Sequence, residues 1–249
     1  MFAVGSSCSR VTFVPQACRV SFGLMLAWFF IACAPAHGAD LQPGTMQARV
    51  AACTACHGAQ GRAGNDGYYP RLAGKPQEYL YQQLLHFRDG SRRYGPMTHL
   101  LTGLPDGYLQ EMAGWFASQH VPYPSPLRSA ASSSQLERGR VLATSGDAAR
   151  GLPACAACHG AALSGALPAI PGLLGLPQDY LVSQLGSWQG GLRHSRAPDC
   201  MADVARALTP SDLAAVAAWL SAQPVREPYV PVAAGELKLP VACGSQDVE

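Results

Sequence analysis

Two short segments of this 249-residue chain carry the same pattern: Cys53-Thr54-Ala55-Cys56-His57 and Cys155-Ala156-Ala157-Cys158-His159. Two thiols spaced by two residues and followed at once by an imidazole are what covalent haem attachment requires. The sulfurs add across the two vinyl groups, and the next residue brings its imidazole to the iron. The competing chemistry is zinc held by the two C-x-x-C pairs. Ribbon-type zinc sites set their pairs much closer and do not need His after both. The expected cofactors are therefore two covalently attached haem c groups. Cys53, Cys56, Cys155 and Cys158 are the attachment points, and His57 and His159 are iron ligands.

A sixth ligand decides what such an iron does. A thioether opposite the imidazole raises the potential and closes the coordination sphere. Met97 and Met201 hold equivalent places after the two motifs, in the loop-like runs Tyr94-Gly95-Pro96-Met97 and Pro198-Asp199-Cys200-Met201. They are the expected sixth ligands. Met112 falls on an apolar helical stripe and reads as core filler. His86, His99 and His194 are the rivals, yet none has a matching His in the other copy. His86, opposite Gly186, reads as a variable surface position.

The elements that must position these residues also occur twice. Pro70-Arg71-Leu72-Ala73-Gly74-Lys75-Pro76-Gln77-Glu78-Tyr79-Leu80 aligns with Pro171-Gly172-Leu173-Leu174-Gly175-Leu176-Pro177-Gln178-Asp179-Tyr180-Leu181. Gln83, Leu84, Phe87 and Trp115 match Gln184, Leu185, Trp188 and Trp219. Tyr79, Leu80, Gln83, Leu84 and Phe87 share one helical face, and the second copy repeats it. Thr209-Pro210-Ser211-Asp212 is a strong helix start, with Pro105-Asp106-Gly107 its weaker counterpart. No stretch alternates convincingly as a strand, so the fold class is all-α. The expected domains are 41–122 and 135–225, joined by a Pro- and Ser-rich linker at 123–134 and followed by a tail at 226–249. The backbone near Pro70 and Pro171 either orients the imidazoles or only punctuates turns. Tyr79 and Tyr180 read as core aromatics or propionate partners, and Trp115 and Trp219 as packing over the haem. Arg92, Arg93 and Arg193 read as propionate partners or as solvated surface charge.

Residues 1–38 read as an export signal. The apolar run Val20–Cys33 is short for a membrane span, and Ala36-His37-Gly38 fits a cleavage site. A retained anchor and a lipid attachment at Cys33 are the alternatives. Cleavage removes Arg10, Arg19 and no acid, taking the formal charge from +2 to zero. That excludes a nucleic-acid footprint, which needs a concentrated basic face. Of the nine cysteines, three lie in the leader and four in the haem motifs. Cys200 and Cys243 remain, and an oxidising compartment favours their pairing.

C-x-x-C-H-G, then P-x-L-x-G-x-P-x-x-Y-L-x-x-Q-L, a glycine-bounded loop with Met and a Trp-bearing helix together resemble the dihaem cytochrome c4 family. The resemblance spans about residues 48–223. It implies a tandem pair of cytochrome c-type domains, each wrapped around one covalent haem. It also implies periplasmic, soluble or membrane-associated electron carriage toward a terminal oxidase, with Met97 and Met201 completing the two irons. Gly172 in place of Arg71 departs from the internal pattern, as do Cys200 and the tail with Cys243. The alternative function is the cytochrome subunit of a periplasmic dehydrogenase, with protein redox partners in either case. A dihaem peroxidase ranks third, because two Met-ligated irons leave no open site.

Overall fold

The structure, a computed structural model, describes residues 44–64, 67–126 and 128–246; the leader expected over 1–38 lies outside them. The first half runs through α1 (Met46–Arg49), α2 (Ala51–His57), α3 (Gln77–Asp89), α4 (Gly95–Leu101) and α5 (Asp106–Ala117). The second runs through α6 (Ser133–Thr144), α7 (Cys155–His159), β1 (Gly165–Ala166), β2 (Ile170–Pro171), α8 (Gln178–Gln189), α9 (Cys200–Ala207) and α10 (Pro210–Ser221). The all-α reading holds, with one addition. β1 and β2 pair antiparallel, and two residues each are too few to leave a period-two signal.

Burial follows the helical stripes. Leu80, Phe87, Leu109, Met112 and Phe116 of α3 and α5 close one apolar cluster, with Val50 and Leu101. Leu142, Leu181, Leu213, Val216 and Leu220 of α6, α8 and α10 close another. Met112 is core, as its stripe implies.

α10 shows why its helix starts where it does. The Thr209 hydroxyl accepts from the Asp212 amide at 3.1 Å, and the Thr209 amide donates back to the Asp212 carboxylate at 3.3 Å. This reciprocal capping box satisfies two orphan donors. Arg138 donates to the same carboxylate at 2.8 Å, and Arg150 pairs with it at 2.9 Å. Pro105 precedes α5 without a side-chain cap.

The methionine segments are not loops. Met97 lies inside α4 and Met201 inside the first turn of α9. Gly95 and Pro96 disguise the helix in sequence, but a first turn has no amide partner to lose. The Asp199 side chain caps α9 through the Ala202 amide at 3.1 Å.

Residues 119–132 carry no helix or strand among those described, but their start is not simply polar and extended. Val121 is buried, and the Arg71 guanidinium donates to the carbonyls of Val121 and Pro122. It also stacks 3.9 Å from the centre of the Tyr123 ring. Arg71 therefore anchors the connector, a role that the sequence comparison with Gly172 does not reveal.

α6 meets α10 at Gly139, where a Cβ would overlap the Ala215 carbonyl oxygen and come within 2.7 Å of Trp219 Cβ. Gly139→Ala should lower stability by about 1–3 kcal/mol, read as a shift of the denaturant midpoint. Asp212 supplies a second expectation. Burial pushes its carboxyl up, but the bonds from Arg138, Thr209 and Arg150 outweigh that and hold it at about 2. The native state therefore binds this proton less readily than the unfolded chain. The stabilisation is complete above the ordinary carboxylate range and is lost as pH falls toward about 2. Asp212→Asn should be less stable than the parent at pH 7, and acid titration of the two proteins should show the gap closing near pH 2.

Candidate functional site

The first motif occupies the last turn of α2, which points Cys53 and His57 to one side of the helix. His57 is buried, and its Nδ1 lies 2.9 Å from the Pro70 carbonyl oxygen. The second motif makes up all of α7, with His159 buried and its Nδ1 2.7 Å from the Pro171 carbonyl oxygen. A carbonyl only accepts, so each Nδ1 carries the proton and each Nε2 keeps its lone pair. Burial pushes the His159 pKa down to about 4; the Pro171 bond opposes this and the nearby Lys75 charge adds to it. Its imidazole is neutral at neutral pH. Of the two readings of the proline segments, imidazole orientation is the one with hydrogen bonds behind it.

A cavity of about 510 Å³ is lined by Cys53, Cys56, His57 and Met97 and also by Cys155, Cys158, His159 and Met201. Tyr79, Tyr180, Trp188 and buried leucines contribute to the same wall. His86, His99 and His194 do not line it. His86 is nevertheless not a free surface residue. It is half-buried at the junction of the halves, with its Nδ1 buried and unpartnered, because α3 packs it near Arg92 and Arg193. Burial first, then those two cations, push its pKa down. Among the described residues no three His, Cys, Asp or Glu side chains converge as metal ligands. Burial pushes the Cys53 and Cys158 thiols up, and takes Cys155 up to about 11.

A crosswise knot joins the two halves through residues whose partners lie far apart in the chain. Arg92 donates to Gln83 of its own half at 2.9 Å and to Gln184 of the other at 2.5 Å. Arg193 donates to Gln184 at 2.9 Å and back to Gln83 at 2.8 Å. The guanidinium groups stack on the repeat-related rings Phe87 and Trp188, at 4.4 and 3.7 Å. The Arg93 amide donates to the Leu192 carbonyl, and the His194 amide to the Ser91 carbonyl. The one available signal was the polar pair Gln83 and Gln184, set at matching positions on otherwise apolar helix faces.

Arg71, Lys75, Arg92 and Arg193 retain only 3, 4, 7 and 4% of their surface exposed, and all four line the cavity. None has a carboxylate in ion-pair range among the described residues. Burial, followed by the Arg92 charge, takes Arg193 down to about 10. Unpaired buried cations are costly unless something anionic completes them. Two haems bring four carboxylates, so the residues present fit the group in polarity, shape and charge. Trp188 Nε1 is a further buried donor with no partner in this wall.

The tail closes over the second half. Tyr229 donates to the Leu163 carbonyl and accepts from the Leu174 amide at 3.0 Å. Val232 exchanges backbone bonds with Gly165 and Leu167. Cys243 is bonded to Cys200 in the first turn of α9, beside Met201, and Gln82 of α3 reaches the Ser245 carbonyl at 3.2 Å. The absence of a side chain at Gly172 now has a cause. A Cβ there would come within 2.8 Å of the Tyr229 hydroxyl and of the Ser164 carbonyl oxygen.

These features define a dihaem c-type cytochrome. Residues 42–119 match the family model described as Cytochrome c. A thiosulfate dehydrogenase electron acceptor of Thiomonas intermedia is 34% identical over 86% of this chain and 94% of its own length. Cytochrome c4 of Pseudomonas aeruginosa is 34% identical over 70% of this chain and 85% of its own. Among solved structures, reduced cytochrome c4 from Pseudomonas stutzeri superposes with a TM-score of 0.62 at 30% identity, covering 71% of this chain and 95% of that one. Thiosulfate dehydrogenase from Marichromatium purpuratum gives 0.63 at 32% identity, covering 70% of this chain and 36% of that one. The chain belongs to the dihaem cytochrome c4 family. It carries two covalent haem c groups, transfers electrons and has protein redox partners.

Tyr229→Phe should strand the Leu174 amide and the Leu163 carbonyl. It should cost about 1–3 kcal/mol in chemical denaturation and bring earlier proteolytic cutting within 226–246.

Proposed function

We propose that Cys53, Cys56, His57 and Met97 hold one haem and that Cys155, Cys158, His159 and Met201 hold the other. One observation carries this reading: each C-x-x-C-H motif and the Met of its own repeat line the same cavity, while the rival histidines stay out of it. We propose domains at about 41–122 and 135–225 on the two apolar clusters. When bound, the irons supply a one-electron ferric/ferrous couple. The protein's share is orientation, burial and charge. Pro70 and Pro171 orient the imidazoles, and neutral His159 keeps its Nε2 available. The leucine-rich walls exclude water, and the buried cations favour the reduced state. Closed irons suit a carrier that is not itself an enzyme.

The physiological reading is a periplasmic carrier that docks briefly with its partners and delivers electrons toward a terminal oxidase. The second reading, service to one dehydrogenase, is supported by the Thiomonas relative, whose similarity covers 86% of this chain. Among the described residues no helix is long and apolar enough to cross a membrane.

Optical titration of the oxidised and reduced protein tests the ligands. The parent should show the far-red sulfur-to-iron band and two high-potential waves. Met97→His and Met201→His should each halve the band and lower one wave. Absence of the band in the parent overturns the Met assignment. Purification of the native protein separates the physiological readings: a free cytochrome fits the carrier, and a stable complex with a catalytic subunit fits the dedicated partner.

A further inference from the structure

Lys75 belongs to the first half, yet its ammonium is spent on the second. It is buried, and Nζ donates to the Gly172 carbonyl oxygen at 2.5 Å. Gly172 directly follows Pro171, whose carbonyl holds the Nδ1 proton of His159 at 2.7 Å. No carboxylate among the described residues stands in ion-pair range of Lys75, and the Arg71 charge acts on it. The Arg71 guanidinium is turned toward the carbonyls of Ala73, Val121 and Pro122. The device is one-sided. The repeat position matching Lys75 is Leu176, a buried apolar residue. The second half therefore sends no lysine back to the His57–Pro70 pair.

We infer that Lys75 tunes the second iron from the opposite half of the molecule, holding the haem at His159 more readily reducible than its own contacts would. A buried cation beside the imidazole adds repulsion to the ferric ion and less to the ferrous one. Coulomb energies of this kind remain sizeable where water is excluded. The bond to Gly172 fixes the ammonium beside β2, and burial pushes its pKa down to about 7, so it carries its charge at pH 6. The lysine acts through the field at the iron and forms no bond to it. The asymmetry separates two otherwise similar His/Met centres, so the single electron of the half-reduced molecule resides preferentially on the second haem. The inference rests on the His159 and Met201 ligation proposed above.

The test follows each haem of the intact holoprotein through its own paramagnetically shifted methyl resonances during a redox titration at pH 6. In Lys75→Met the ferric-to-ferrous ratio of the second haem at a fixed potential should rise about tenfold, equivalent to a downward shift of about 59 mV for one electron. The first haem should move much less. Lys75→Gln keeps a donor for Gly172 without the charge and should behave like Lys75→Met. Lys75→Arg should restore the parent value, which a purely structural tie would not predict. Unchanged potentials in Lys75→Met, or equal falls at both haems, overturn the inference. So does a shift in Lys75→Met that Lys75→Gln lacks, because the bond and not the charge would then be responsible. The far-red sulfur band keeps the two levels apart. A parent without it defeats the ligand assignment, and the inference falls with it. A full band in parent and variants with unmoved potentials defeats only the role of Lys75.

Discussion

Two arginines buried against each other are the constraint around which the two halves are arranged. Arg92 and Arg193 repel, and removing them from water is expensive. The cost is contained in two ways. Each guanidinium shares the side-chain carbonyls of Gln83 and Gln184. Each also stacks on an aromatic ring of its own half. What remains is a positive field in a cavity wall, and a cofactor carrying carboxylates is suited to complete it. Because each arginine needs the glutamine of the other half, the knot closes only when both halves are in register. Folding, assembly of the halves and readiness for haem are thus tied to the same few atoms.

Several departures from internal symmetry gather at the second half. Gly172 replaces Arg71, and the space left is taken by the Tyr229 hydroxyl of the tail. Leu176 replaces Lys75, while Lys75 itself crosses to the Gly172 carbonyl. Cys200 sits beside Met201 and ties the tail to α9 through Cys243. The tail also touches α3 through Ser245. The first half has the connector held by Arg71 where the second has this tail. A duplicated frame has therefore been given two different environments, which is the physical requirement for two centres with different tasks.

Much of the fold was legible because the relevant signals are local. The stripe Tyr79, Leu80, Gln83, Leu84, Phe87 locates α3, and Thr209 with Asp212 marks the start of α10. The Cys200–Cys243 pairing followed from counting thiols, since only two were left over, and the structure contains that bond. Gly and Pro mark loops in a sequence only where no helix begins. Gly95-Pro96 opens α4, because the first turn of a helix tolerates both. Comparison with Gly186 suggests a surface position for His86, yet it is half-buried. Burial depends on what packs from the other half, and no comparison of the copies contains that.

By itself, the sequence determined the cofactor and the two motifs suited to attach it. Covalent haem attachment needs two thiols and an imidazole within five consecutive residues, so the whole requirement is written in one short stretch, twice. Only the tertiary structure decided what surrounds the two motifs. The pairing of Arg92 with Gln184, the reach of Lys75 to Gly172 and the closure of the tail over the second half join residues far apart in the chain. Such contacts follow no period and no fixed spacing. They exist because compaction forces buried polar groups to find partners wherever the fold has placed them.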